Sequence, residues 1–416
     1  MGVLNKALNA RKEADKKKYK SSPYSVANAM PVPTGFPVLD ARLSTVAKDS
    51  KSGEQFVLPG LSMGKLTLAV GNSQSGKSTI AYQIASNMAN YVDEVAGSQV
   101  SDIIVLDFER STNNLQARIE SITGTAEEEF DNRFTVIKEN YMSTEWLKDF
   151  FFSIKEAKSK LTAADMVDWQ DEDGQPIKIY PPTFVIVDSI PSIRTIDVME
   201  DATLDNNMVG GKIANANNSM LIAVNSFFEE YNINVIAINH VTKKIKVNAY
   251  GPREVILPGL PEDVNLPGGN KWVFYSSYVF WLTSGAEYKE DKDFYEAGRK
   301  TSFRMLKTRS GFNNDRLEFF LSAKVGFSAA ITTFLWLKEE GYLQGGGRSG
   351  FTLKGLDGYA FTQKSFVEQY YNDEEFRTAF DEKVDEIMMD VVMNKYSKMG
   401  QAPSKNSSLA DEFDEE

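Results

Sequence analysis

Seven short apolar runs punctuate the chain: 66–70 (LTLAV), 103–107 (IIVLD), 184–188 (FVIVD), 233–239 (INVIAIN), 278–282 (YVFWL), 303–307 (FRMLK) and 317–321 (LEFFL). Several are apolar at nearly every position, the signature of strands buried on both faces of a parallel sheet rather than on one. Helical patterns fill the gaps. After the first run, about 77–91, Ile80, Ile84 and Met88 form one stripe with Ala81 and Ala85 beside it, so one helix face can pack on a sheet. From about residue 35 to 325 the pattern predicts an α/β fold with a mainly parallel central sheet flanked by helices and right-handed crossovers.

The ends read differently. Residues 3–18 predict a short basic helix, and 19–34, with Ser21, Ser22, Pro23, Pro31 and Pro33, a linker or extended arm. Beyond 325, GGGRSG (345–350) reads as a flexible loop and 364–399 as helical and acidic. The last six residues hold five acids, a composition that stays disordered. The expected division is an N-terminal arm (1–34), a core (35–329), a small α-rich C-terminal region (330–400) and an acidic tail (401–416). No repeat of solenoid period is present.

Composition narrows the chemistry. The absence of cysteine removes disulfides, thiolate metal sites and cysteine nucleophiles, and a single histidine, His240, argues against a histidine-built metal site. No apolar run reaches membrane-spanning length and the basic N-terminus lacks a signal-peptide core, so an intracellular protein is expected. The net charge of −12 speaks against nucleic acid, but its distribution does not. Residues 1–20 carry a net charge of about +5 and 368–416 about −9, so an acidic tail masks a more balanced middle.

One motif carries most of the chemistry. GNSQSGKS (71–78) matches G-x-x-x-x-G-K-[ST], after an apolar run and before a helical pattern, the context of a phosphate-binding loop. Gly71 and Gly76 allow the tight turn; the backbone of Asn72, Ser73, Gln74, Ser75 and Thr79 surrounds phosphate oxygens; Lys77 reaches the β- and γ-phosphates and Ser78 binds Mg²⁺. ATP with Mg²⁺ is the expected ligand. Asp188, at the end of FVIVD, is placed to serve the metal if its strand neighbours the loop's; the bland alternative is a turn aspartate. Asp107 and Glu109, just past IIVLD, are candidates to orient water, with N-cap or ion-pair roles as alternatives.

Taken in order, these segments resemble the RecA family of recombinases, most closely the phage UvsX type, from PTGFPVLDARLS (33–44) to about residue 327, with a weaker likeness at 376–387 and in the tail. The resemblance implies a RecA-like P-loop ATPase core in which Glu109 of VLDFERS activates water and Asp188 acts on Mg²⁺. It also implies that His240 of VIAINHV senses the γ-phosphate, a satisfied core histidine being the bland alternative. The loop after it (Lys243, Lys244, Lys246, Arg253) and PGGN (Gly268, Gly269, Asn270) would bind DNA, with Arg194 opening a first DNA loop at about 194–211. That loop departs from the family: it is acidic, asparagines follow where arginines are usual, and Met199 and Met208 both stand as candidate wedges. FRMLKTRSGF implies that Lys307 and Arg309 reach the neighbouring subunit's ATP. Implied partners are single- and double-stranded DNA, further copies in a helical filament, and a single-strand-binding or loader protein, without a membrane. For a phage protein the place is the host cytoplasm. A ring helicase on the same core and an ATP-gated DNA scaffold are the competing expectations.

Overall fold

The computed structural model describes residues 22–48, 53, 55–110, 114–200, 209–243, 257–261, 263–289, 297–308, 315–322, 324–356 and 358–400. The expected basic helix 3–18, the acidic tail, Met208, Lys244, Lys246, Arg253 and Arg309 lie outside the described residues.

In chain order the main elements are α1 (Pro37–Leu43), β1 (Leu66–Gly71), α2 (Lys77–Ala96), β2 (Asp102–Asp107), α3 (Leu115–Thr123), β3 (Phe134–Ile137), α4 (Thr144–Ser159), β4 (Thr183–Asp188), α5 (Val209–Glu230) and β5 (Ile233–His240). Then come α6 (Lys271–Tyr275), β6 (Tyr278–Tyr288), β7 (Gly298–Lys307), β8 (Asp315–Ser322), β9 (Gly326–Phe327), α7 (Ala329–Glu339), α8 (Gln363–Asn372) and α9 (Glu374–Gly400). The nine strands form one sheet in the order β9-β8-β7-β6-β1-β5-β4-β2-β3. The six from β6 to β3 are parallel, and β7, β8 and β9 extend the sheet antiparallel.

The apolar runs work as their pattern demands. Val185 and Val187 of β4 enter one buried cluster while Phe184 and Ile186 enter the other, and β5 divides Val235 and Ala237 from Ile236 and Ile238 in the same way. One layer, with α4, α5 and α6, covers one face; α2, α7 and the C-terminal helices belong to the other. Helix α2 runs beyond the expected stripe to a left-handed Gly97 cap.

Three expectations at the ends change. Residues 22–34 are docked rather than a free linker: Val26 donates to the carbonyl of Glu229 at 3.0 Å, Val32 pairs with Leu61, and Val26, Ala29, Val32 and Thr34 are buried. The segment 345–350 is the turn of a small hairpin, 343–345 against 351–353. The acidic helical stretch breaks at Asp373 into α8 and α9. Phe361 and Phe366 pack on Phe334 of α7, and Phe376 and Phe380 pack on Phe361 and Phe366, within a buried cluster that also holds residues of the central sheet.

Burial in α1 makes one acid responsive to pH. Asp40 accepts from the Thr34 amide at 2.8 Å, yet burial outweighs its backbone donors and raises its pKa to about 7. Its unfolded value is about 3.9. The folded state therefore holds a proton that the unfolded state has released, and Asp40 makes stability fall as pH rises from about 4 to about 7. Asp40→Asn keeps an acceptor but cannot titrate. Denaturant midpoints at about pH 5.5 and about pH 7.5 are expected to separate further for the native chain than for the variant; equal differences would count against a buried, protonated Asp40.

Candidate ATP site

The parallel strands deliver their C-terminal ends to one edge. Gly71 of β1 lies beside His240 of β5, and Asp107 of β2 beside Asp188 of β4. The sequence places Asp188 at the metal on the condition that its strand neighbours the loop strand; it does not, because β5 stands between them. His240 thus comes to lie between the phosphate loop and the acids.

Close packing shapes the loop. A Cβ on Gly71 would stand 2.4 Å from the Leu282 carbonyl oxygen, and Gly76 has φ +88 with the Phe327 ring 2.6 Å from where its Cβ would be. Asn72, Ser73 and Gln74 are exposed, whereas Ser75, Lys77 and Thr79 are buried. The carbonyl of Asn72 accepts from Ser75 Oγ at 2.9 Å and from Lys77 Nζ at 2.6 Å. From the antiparallel side, Ser284 Oγ and Arg299 Nη1 both donate to the Gln74 carbonyl at 3.2 Å. Burial pulls the Lys77 pKa down to about 8 against the opposing charges of Asp188 and Glu109. Phosphate oxygens brought here meet the N-terminus of the 20-residue α2 together with this ammonium.

The two candidate carboxylates, Asp107 at the end of β2 and Glu109 beyond it, have separate duties. Asp107 accepts from the Arg110 amide at 2.8 Å and so closes the turn after the strand. Glu109 faces the site. Its Oε1 accepts from Ser189 Oγ and lies 2.8 Å from His240 Nε2. These hydrogen bonds, His240 first, hold its pKa at about 2, helped by the charge of Lys77. The amides of Phe108 and Glu109 donate to the Asp188 carbonyl at 2.7 and 3.2 Å, fastening this segment to the end of β4.

Asp188 is 8% exposed; burial raises its pKa, while Ser78 and Tyr82, as hydroxyl donors, lower it. Ser78 and Asp188 offer hard hydroxyl and carboxylate oxygens, a donor set that suits Mg²⁺. Among the described residues no cluster of three or more His, Asp or Glu stands ready to hold a metal alone.

The residues expected to meet DNA are partly scattered and partly structural. Arg194 is exposed and donates to the Pro191 carbonyl at 2.8 Å; Lys243 is exposed on a two-residue strand paired with Val264–Asn265. Gly268 and Gly269 have a packing reason for their identity. At φ +94 and +102, their Cβ atoms would come 2.2 Å from Ile190 Cγ2 and 2.9 Å from the Ala214 carbonyl oxygen. The asparagines of α5 that depart from the family pattern grip this segment. Asn217 Nδ2 donates to the Gly268 carbonyl at 3.1 Å, and Asn218 Oδ1 accepts from the Lys271 amide, preceded by Asn270, at 3.0 Å. Asn239 Nδ2, next to His240, donates to the Pro267 carbonyl at 2.9 Å. Lys307 donates to the Val273 and Phe274 carbonyls at the C-terminus of α6 within its own subunit.

Sequence reasoning missed Tyr82, Ser189, Asn217 and Asn239. Tyr82 was within reach of it: four residues after Ser78, it shares that residue's helix face. A search among curated proteins finds no match. Residues 47–245, which contain the loop, Glu109, Asp188 and His240, match the family model described as an AAA domain, and the mainly parallel sheet with its glycine loop at the end of β1 is that of a P-loop ATPase core.

Proposed function

We propose that the chain is an ATP-dependent DNA recombinase. It coats single-stranded DNA as a helical homo-oligomer, binds ATP and Mg²⁺, and promotes homologous pairing and strand exchange with double-stranded DNA. The observation that carries this reading is the 2.8 Å contact between His240 and Glu109. It ties the carboxylate beside the phosphate loop to the strand that runs on into the basic segment at 243–253. Asn239, one residue earlier, donates to the carbonyl of Pro267, which follows that segment in the chain. Lys77 and the loop amides hold the phosphates, Ser78 and Asp188 hold Mg²⁺, and Glu109 orients the attacking water. When bound, Mg²⁺ neutralises charge on the β- and γ-phosphate oxygens. A γ-phosphate competes with Glu109 for the His240 N–H, and the change passes from the end of β5 to the loop that follows, whose lysines track a phosphate backbone. Lys307 and Arg309 supply cations to the next subunit's nucleotide, which places the ATP between protomers and makes assembly depend on it.

Electron microscopy of the full chain with single-stranded DNA and a slowly hydrolysed ATP analogue is expected to show open helical filaments that need both ligands. Closed rings threaded by DNA, or no polymer on DNA, would overturn the recombinase reading.

A further inference from the structure

We propose that Tyr82 is a positioning residue for the metal side of the ATP site: its hydroxyl fixes the carboxylate of Asp188 so that it faces Ser78. This rests on the ATPase reading above. Tyr82 is 1% exposed, and its hydroxyl lies 3.2 Å from Asp188 Oδ2. It follows Ser78 by four residues on α2, so the two hydroxyls line one helix face and meet the same carboxylate. The pairing crosses from α2 to β4, 106 residues apart. Asp188 is 8% exposed and meets both hydroxyls, so these two donors set its side-chain rotation. Without the phenol oxygen, Ser78 alone anchors a carboxylate free to rotate away from the metal. Outer-shell donors of this kind are worth about 10–100-fold in metal affinity.

The test uses the full chain, ADP as nucleotide and Mn²⁺ as a paramagnetic stand-in for Mg²⁺. Tyr82→Phe is expected to weaken Mn²⁺ binding to the ADP-bound chain by about tenfold, read by electron paramagnetic resonance. Its ADP affinity in EDTA should stay unchanged. Asp188→Asn is expected to weaken Mn²⁺ as well, and Tyr82→Phe added to it should cost nothing more. Unaltered Mn²⁺ affinity in Tyr82→Phe, or fully additive losses in the double variant, would overturn the positioning role while leaving the ATPase reading intact. If the native chain binds neither ADP nor Mn²⁺ in its presence, the ATPase reading fails, and this inference with it.

Discussion

In the Glu109→Gln chain, ATP turnover is expected to fall by about 100-fold while nucleotide binding persists. Among the described residues both donors to Glu109, Ser189 and His240, converge on Oε1, so Oε2 is not engaged by either. A carboxylate held at a pKa of about 2 is a weak proton acceptor at neutral pH. Its service is orientation: it accepts a hydrogen bond from water and aligns it on the γ-phosphate. A loose phosphoryl-transfer transition state requires little more of it. Glutamine keeps an acceptor for Ser189 and His240 but loses the anionic charge and can present an amide donor where the carboxylate accepted. Steady-state turnover beside fluorescent-nucleotide binding separates the two effects. Asp107 is the competing candidate, because its Oδ2 is buried without a hydrogen-bond partner among the described residues. Asp107→Asn should change turnover far less, since that side chain closes the turn through the Arg110 amide. Unchanged turnover in Glu109→Gln with a collapse in Asp107→Asn would exchange their roles.

What the chain disclosed in advance follows from how much of each signal is local. The strands β1, β2, β4 and β5 are apolar on both faces, so their sequence alone announces a buried parallel sheet. The hairpin of Val167–Gln170 with Pro176–Ile179 is four residues a side and alternates buried with exposed positions in its first strand, too short a pattern to stand out beside a helix. The segment 22–34 reads as a linker because of its prolines and serines; its burial depends on surfaces at Leu61 and Glu229 that no local pattern foretells. The phosphate loop, Asp188, Glu109 and His240 are each legible as ends of apolar runs. Their order across the sheet is not: a crossover places β5 between β1 and β4, and only that order puts His240 against Glu109. The asparagines of α5 looked like a departure from a DNA-contacting pattern, and two of them are bonded to the segment around Gly268. Lys307 is legible as a strand cation, but its acceptors lie on a helix more than 30 residues earlier.

Gly76→Ala is expected to abolish nucleotide binding and to destabilise the chain more than Gly97→Ala, although both glycines bound the same helix with left-handed backbone. Gly76 has φ +88 at the N-terminus of α2 and Gly97 φ +69 at its C-terminus. Each alanine therefore carries a backbone cost of about 1–2 kcal/mol. The surroundings separate them. Apart from its chain neighbours, no atom among the described residues lies within 4 Å of a Cβ built on Gly97, whereas one on Gly76 meets the Phe327 ring at 2.6 and 2.8 Å and Leu321 at 3.1 Å. The ring cannot move aside cheaply. Phe327 is buried, its amide donates to Gln83 Oε1 at 2.8 Å, and its carbonyl accepts from Gln83 Nε2 at 3.0 Å, both on α2 itself. Overpacking against such a ring adds about 1–3 kcal/mol. The alternative to that cost is displacement of the loop, which carries the Lys77 ammonium and the Ser78 hydroxyl away from the phosphates. Denaturant midpoints and equilibrium nucleotide binding on both variants check the comparison. Equal midpoints with nucleotide affinity retained in Gly76→Ala would mean that the loop tolerates a side chain against Phe327, and that its glycine serves backbone freedom alone.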